Sequence, residues 1–187
     1  GDEIIINGAA IAGKSEPFTE GSILLTGITK ITANSLFATK DITLKSPSVT
    51  TENIDAKNDV EIEGNKITTK EIKTTNNITL NGNVIETSAL NAAKNITIQG
   101  TTIKNAALIA TENVFINKDS EVLEQTLNIT GDVSSNNFEA VAKTQTFGGT
   151  ISVTNDFISK GESLIFAKAV TAKNMNLSGD EITFAGK

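Results

Sequence analysis

Apolar and polar residues alternate along this chain in short runs that return at a fixed interval. From Lys40 the tetrads Asp41-Ile42-Thr43-Leu44, Asp59-Val60-Glu61-Ile62, Asn77-Ile78-Thr79-Leu80, Asn95-Ile96-Thr97-Ile98 and Asn113-Val114-Phe115-Ile116 recur in an 18-residue frame. Gly64, Gly82 and Gly100 stand shortly after their tetrads, with Ser46 in the equivalent place. Val49, Ile67, Ile85 and Ile103 form a second apolar column, and Ile54, Ile72, Leu90 and Leu108 a third, followed at the next inward position by Ala56, Thr74, Ala92 and Ala110. Period-two alternation rich in β-branched residues reads as strand. Three such segments closing a circuit within each repeat describe one triangular coil of a β-solenoid, with identical columns stacked along its interior.

Charge supports the same register. Lys45 and Glu63, Glu52 and Lys70, and Asp55 and Lys73 are opposite in sign and stand one repeat apart. Stacked strands lie about 4.8 Å apart. Each pair would therefore face across a rung, contributing roughly 0.2–1 kcal/mol and disfavouring slipped pairings. The Asp41, Asp59, Asn77, Asn95, Asn113 column is expected at a corner, where Asn and Asp tolerate left-handed backbone and stack their side chains.

The pattern extends both ways with less regularity. Upstream, Ile4-x-Ile6-x-Gly8 and Ile23-x-Leu25-x-Gly27 stand at nearly the same interval and read as equivalent strands. Downstream, Leu127-x-Ile129, Ile151-x-Val153, Leu164-x-Phe166, Met175-x-Leu177 and Ile182-x-Phe184 keep the alternation but vary its spacing. The expectation is an all-β chain: a right-handed parallel β-helix of about ten triangular coils with an 18–19 residue repeat, regular over 22–111 and less so over 112–187. At about 4.8 Å per coil the rod would be on the order of 50 Å long. Six of the eight Phe follow residue 112, which predicts a wider, aromatic-filled interior there. Neither end reads as a cap, so residues 1–187 are expected to be one β-helix segment cut from a longer filament and adjoining further β-helix.

Composition narrows the chemistry. Arg, His, Cys, Tyr and Trp are absent and the net charge is -6. Such a chain lacks the basic face of a nucleic-acid binder, and no nucleic-acid partner is expected. Without Cys there is no disulfide framework or thiol metal site. No apolar run approaches the roughly 20 residues that cross a bilayer, and the first residues lack the features of a signal peptide.

Enzymatic candidates are sparse. Glu61 and Glu63 alternate with Val60 and Ile62, so both point outward, about 6.6 Å apart along the strand, inside the range of paired glycosidase carboxylates. Glu63, however, has Lys45 as ladder partner, and no Tyr or Trp offers a sugar platform. Asp41 and Asp59 stack in a way that would suit calcium, but a satisfied corner explains them better. Gly148-Gly149 precedes a strand-like run rather than the helix a phosphate loop needs. Thr51, Thr69 and Thr87 form a flat column of the kind ice-binding faces use, but it turns to Asn105 after three coils. No enzyme activity, cofactor or metal is expected.

Recognition surfaces on solenoids come from insertions that interrupt the repeat. Two are present: Ala12 to Ser22, carrying Glu16-Pro17-Phe18, and Asn117 to Thr126, which breaks the 18-residue frame. The second carries Lys118, Asp119, Glu121 and Glu124, the candidate receptor-contact residues.

The unit Asn-Ile-x-Leu-x-Gly-x-x-Ile followed by Leu-x-Ala resembles the repeats of filamentous haemagglutinin-like exoproteins over roughly 22–187. These include two-partner-secretion adhesins and the stalks and receptor-binding regions of contact-dependent growth inhibition toxins. The resemblance implies a right-handed β-helix exported to the surface of a Gram-negative cell, with a cell-surface receptor, protein or glycan, on a target cell as partner. The family's secretion domain and toxic C-terminal domain have no counterpart in these residues. The competing expectations are a carbohydrate-active β-helix, such as a tailspike-like hydrolase, and a purely mechanical stalk.

Overall fold

A computed structural model describes residues 2–15, 18–120 and 124–186. The chain is a right-handed β-solenoid, all β, with parallel strands stacked in coils. Among the described residues, one wall is a sheet of nine strands; around the rest of the coil runs a sheet of 13, whose main path stacks ten.

Each regular coil follows from its own residues. Ile42–Lys45 is a short strand with Ile42 and Leu44 buried. Ser46 and Pro47 turn the chain into the long strand Ser48–Ala56, which bends across two faces. Val49 and Thr51 point in on the first face and Ile54 and Ala56 on the second, while Glu52 and Asn53 are both exposed at the corner between them. Two successive outward residues break the alternation, and that break is the third corner of the triangle. The next three coils repeat this pattern at the same interval, pairing Ile42 with Val60, Ile78 with Ile96, and Val49 with Ile67. Each buried Ile, Leu or Val side chain contributes about 1.5–3 kcal/mol relative to exposure.

Beyond Glu112 the circuit changes. Val114 pairs with Phe138 rather than with Asp132, which stands one repeat on, because the chain leaves the wall between Ile116 and Thr126. One further residue then enters the bend: Asn105 pairs with Ile129, but Leu108 pairs with Val133. The long strand accordingly splits into Thr126–Ile129 and Val133–Ser135. Gly131 sits at that split, where a Cβ would lie 2.1 Å from the Ala106 carbonyl oxygen, so only glycine passes.

The aromatic filling expected here is present as two interleaved columns. Phe138 stacks on Phe157 with ring centroids 5.1 Å apart, and Phe147 on Phe166 at 5.1 Å. Between the columns, Phe157 meets Phe147 and Phe166 edge-on at 6.1 and 5.9 Å. Gln145 is also fully buried, and satisfied: its Oε1 accepts from the Ser159 hydroxyl at 2.8 Å and its Nε2 donates to the Lys160 carbonyl at 2.8 Å.

The Asp/Asn column forms a corner ladder. The Asn77 amide donates to Asp59 Oδ1 at 2.9 Å, Asn95 to Asn77 at 3.0 Å, Asn113 to Asn95 at 2.7 Å and Asn137 to Asn113 at 2.8 Å. The expected left-handed backbone is not there. Among the described residues, the non-glycine residues with positive φ are Asn117 and Asp119, both in the second insertion.

Two other expectations need correction. Ile4 and Ile6 stack on Ile31 and Ala33, not on Ile23 and Leu25, because a single Ile-x-Ile alternation suits either wall and the first insertion intervenes. Asp55 and Lys73 are in register, but Asp55 binds Lys57 at 3.4 Å, its neighbour on the same outward face. The Thr51, Thr69, Thr87 column, already set aside as an ice-binding face, lies inside the solenoid, at most 9% exposed.

That inward column supports a paired test. Thr69 Oγ1 is buried with no hydrogen-bond partner among the described residues, whereas Thr87 Oγ1 accepts from the buried Asn105 amide. Thr69→Val is expected to raise stability by up to about 1 kcal/mol, and Thr87→Val to lower it by about 1–3 kcal/mol by stranding a buried donor. Urea denaturation midpoints check both; a loss in Thr69→Val would mean that its hydroxyl is bonded in solution.

Candidate functional site

The second insertion begins by repairing the place where it leaves the wall. Asn117 is 2% exposed. Its Oδ1 accepts from the Gly100 N–H at 2.8 Å and its Nδ2 donates to the Gly100 carbonyl at 3.0 Å, so one side chain satisfies both backbone groups that a strand would have paired. Left-handed backbone at Asn117 and Asp119 and a turn bond from the Ser120 N–H to the Asn117 carbonyl send the chain outward.

Among the described residues, the candidate contact residues do not converge. Lys118 folds back over the short-strand wall: its ammonium lies 4.3 Å from the centroid of the outward-facing Phe115 ring and 3.7 Å from Glu139, and its carbonyl accepts from Gln99 Nε2. Asp119 is exposed at the turn. Glu121 lies outside the described residues. Glu124 is 3.8 Å from Lys143, which is in turn 3.9 Å from Glu162, so it belongs to a charge ladder climbing the corner. Phe115, Glu139 and Lys143 are the partners that sequence reasoning did not name. Their signals were available, since Glu124, Lys143 and Glu162 recur at one constant interval and alternation places Phe115 outward.

The first insertion holds the antiparallel pair Lys14–Ser15 and Phe18–Thr19, while Glu16 and Pro17 lie outside the described residues. Thr39 anchors it: its hydroxyl donates to the Thr19 carbonyl at 2.9 Å and accepts from the Gly21 N–H at 2.9 Å. Lys40 lies 2.7 Å from Glu20, and this hydrogen-bonded carboxylate raises the lysine above its ordinary pKa.

Glu61 and Glu63 do point outward together, and Lys45 bridges them at 3.2 and 3.3 Å. Both carboxylates raise the Lys45 pKa, Glu61 most. One exposed ammonium thus lies between the two exposed carboxylates. Asp41 accepts from the Asn58 amide at 2.6 Å and the Asp59 N–H at 3.1 Å. Among the described residues, no three acidic side chains gather to hold a metal ion.

Several shallow grooves run along the rod, among them two on the faces of the stacked strands. One, of about 470 Å³, lies along the first face of the long strands, between the ion pairs Glu52–Lys70 at 2.7 Å and Glu86–Lys104 at 3.2 Å. The other, of about 480 Å³, runs down the short-strand wall between the corner ladder and the column Glu61, Thr79, Thr97, Phe115. No protein-family model, curated protein or solved structure matches the chain.

Proposed function

We propose that the chain is a non-enzymatic segment of a secreted bacterial surface filament, spanning distance from the cell and presenting a receptor-binding face to a target cell. The observation that carries this reading is the contrast between the outer walls and the second insertion. The walls repeat rung after rung, whereas the chain between Ile116 and Thr126 departs from the frame and is pinned at its base by Asn117 and over the wall by Lys118. Fixing an irregular segment on a rigid stack is how solenoids present a specific surface. The resemblance to filamentous haemagglutinin-like repeats supports export and adhesion. In this reading no cofactor takes part, and the neighbours along the axis are further coils of the same filament.

The test is binding of the labelled 187-residue segment to candidate host or bacterial cells, with unlabelled segment as competitor. Saturable, competed binding is expected, and joint replacement of Lys118, Asp119, Glu121 and Glu124 by alanine is expected to weaken it by about tenfold or more. Unchanged binding by that variant would remove the insertion from the contact surface. Absence of binding to any cell type would leave a mechanical stalk. A hydrolase would require Glu61 and Glu63 to act without Lys45 between them; release of reducing ends from polysaccharide, abolished by Glu61→Gln, would overturn the non-enzymatic reading.

A further inference from the structure

The short-strand groove has a chemistry distinct from the rest of the surface. Over its central rungs it is formed by Asn77, Thr79, Asn95, Thr97 and Asn113, none of them charged. Each of these three amides uses one N–H in the ladder, to Asp59, Asn77 and Asn95 respectively. An amide has two such donors, so each rung keeps a second N–H without a partner among the described residues. The hydroxyls of Thr79 and Thr97 stand beside them, also without a partner there. Rungs repeat about every 4.8 Å, so donors and acceptors recur in two parallel rows along the axis. Glu61 bounds one end and the Phe115 ring, carrying the Lys118 ammonium, bounds the other.

We propose that this groove binds a linear, uncharged oligosaccharide laid along the solenoid axis. The inference rests on the adhesive reading and names the ligand class for the wall beside the second insertion. The wall excludes the main alternatives on physical grounds. An extended peptide adds to a sheet through free backbone groups, whereas the strands here, Val60–Glu63, Ile78–Asn81 and Ile96–Gln99, are paired on both sides. A phosphate- or sulfate-bearing polymer requires a run of cations, whereas no lysine lines the groove, and Lys45 and Lys118 at its two ends are each paired with a carboxylate. A neutral sugar chain matches the rest. Its hydroxyls both donate and accept, its residues advance by a step comparable to one rung, and its C–H faces suit the exposed part of the Phe115 ring.

The probes are cellotetraose and chitotetraose, with tetragalacturonate as the charged counterpart. Titration is followed by the side-chain amide NMR signals of Asn77, Asn95 and Asn113. Saturable shifts of these signals with at least one neutral tetrasaccharide, and weaker ones with tetragalacturonate, are expected. Thr79→Glu with Thr97→Glu is expected to weaken binding by about tenfold or more; Glu61 already occupies that outward column, so glutamate is compatible with the strand. No shift with either neutral probe, shifts confined to other residues, or shifts unaffected by the double substitution would overturn the proposal. Cell binding separates the two ideas. Cell binding without any tetrasaccharide effect leaves adhesion standing and removes the glycan groove, whereas tetrasaccharide binding without cell binding does the reverse.

Discussion

Replacing Phe157 by alanine is expected to lower the stability of the coils it joins by about 3–5 kcal/mol. Its ring is fully buried, stacked on Phe138 at 5.1 Å and met edge-on by Phe147 and Phe166. Removal therefore deletes the transfer energy of a large side chain and three ring contacts, and leaves a cavity. Collapse around it is restricted because the rungs above and below are held at fixed spacing by their strands. Solenoids lose stability locally, since each coil touches only its neighbours. The effect should thus be read by amide hydrogen exchange along the chain as well as by urea denaturation. Protection is expected to fall in Asn137–Val141, Asp156–Lys160 and Ser163–Phe166 and to persist in Ile42–Lys45. A uniform change of less than about 1 kcal/mol would contradict the packing described.

The second large effect is expected at Gly82. A Cβ there would lie 2.3 Å from the Gly64 carbonyl oxygen of the preceding coil, and Gly64 itself would place one 2.2 Å from the Ser46 carbonyl. Successive turns approach so closely that their backbones touch, and backbone cannot yield as a side chain tip does. Gly82→Val must separate the two turns, weakening the bond from the Gly64 N–H to the Asn81 carbonyl and its neighbours. The expected cost is about 3 kcal/mol, seen as a lowered denaturation midpoint. The same substitution at Gly8, where an added Cβ meets nothing within 4 Å, is expected to cost far less and serves as control.

How much of this was legible in the sequence depended on what each residue had to distinguish. The 18-residue frame was readable because the apolar columns and the Lys45–Glu63 and Glu52–Lys70 pairs specify one register independently, and both ion pairs form. The coil before it was not, since Ile4-x-Ile6 carries no mark of which wall it joins. Asp55 shows a different limit: register alone cannot decide between Lys73 across the rung and Lys57 along the strand. Thr51 was readable, because it is the next alternate position after the inward Val49 and alternation already places it inside. At the insertion, charge count suggested a cluster, whereas Lys118 is claimed by a partner on the short-strand wall and Glu124 by one at a corner. The residue that anchors the segment, Asn117, is polar and buried, and follows the tetrad Asn113-Val114-Phe115-Ile116 directly, where no earlier coil carries a buried Asn.

The corner ladder has one direction. Every side-chain amide from Asn77 to Asn137 donates toward the preceding coil and accepts from the following one. Their dipoles therefore add head to tail, with the positive end facing the N-terminal coils. A carboxylate accepts but, ionised, does not donate, and the ladder ends at that side in Asp59 and Asp41, joined through the Asp59 backbone N–H and the Asn58 amide. Negative charge thus sits at the positive terminus of a row of aligned amides, as an anion does at a helix N-terminus. Coils of nearly the same shape are in this way given an electrical polarity, and the two ends of the rod are not interchangeable.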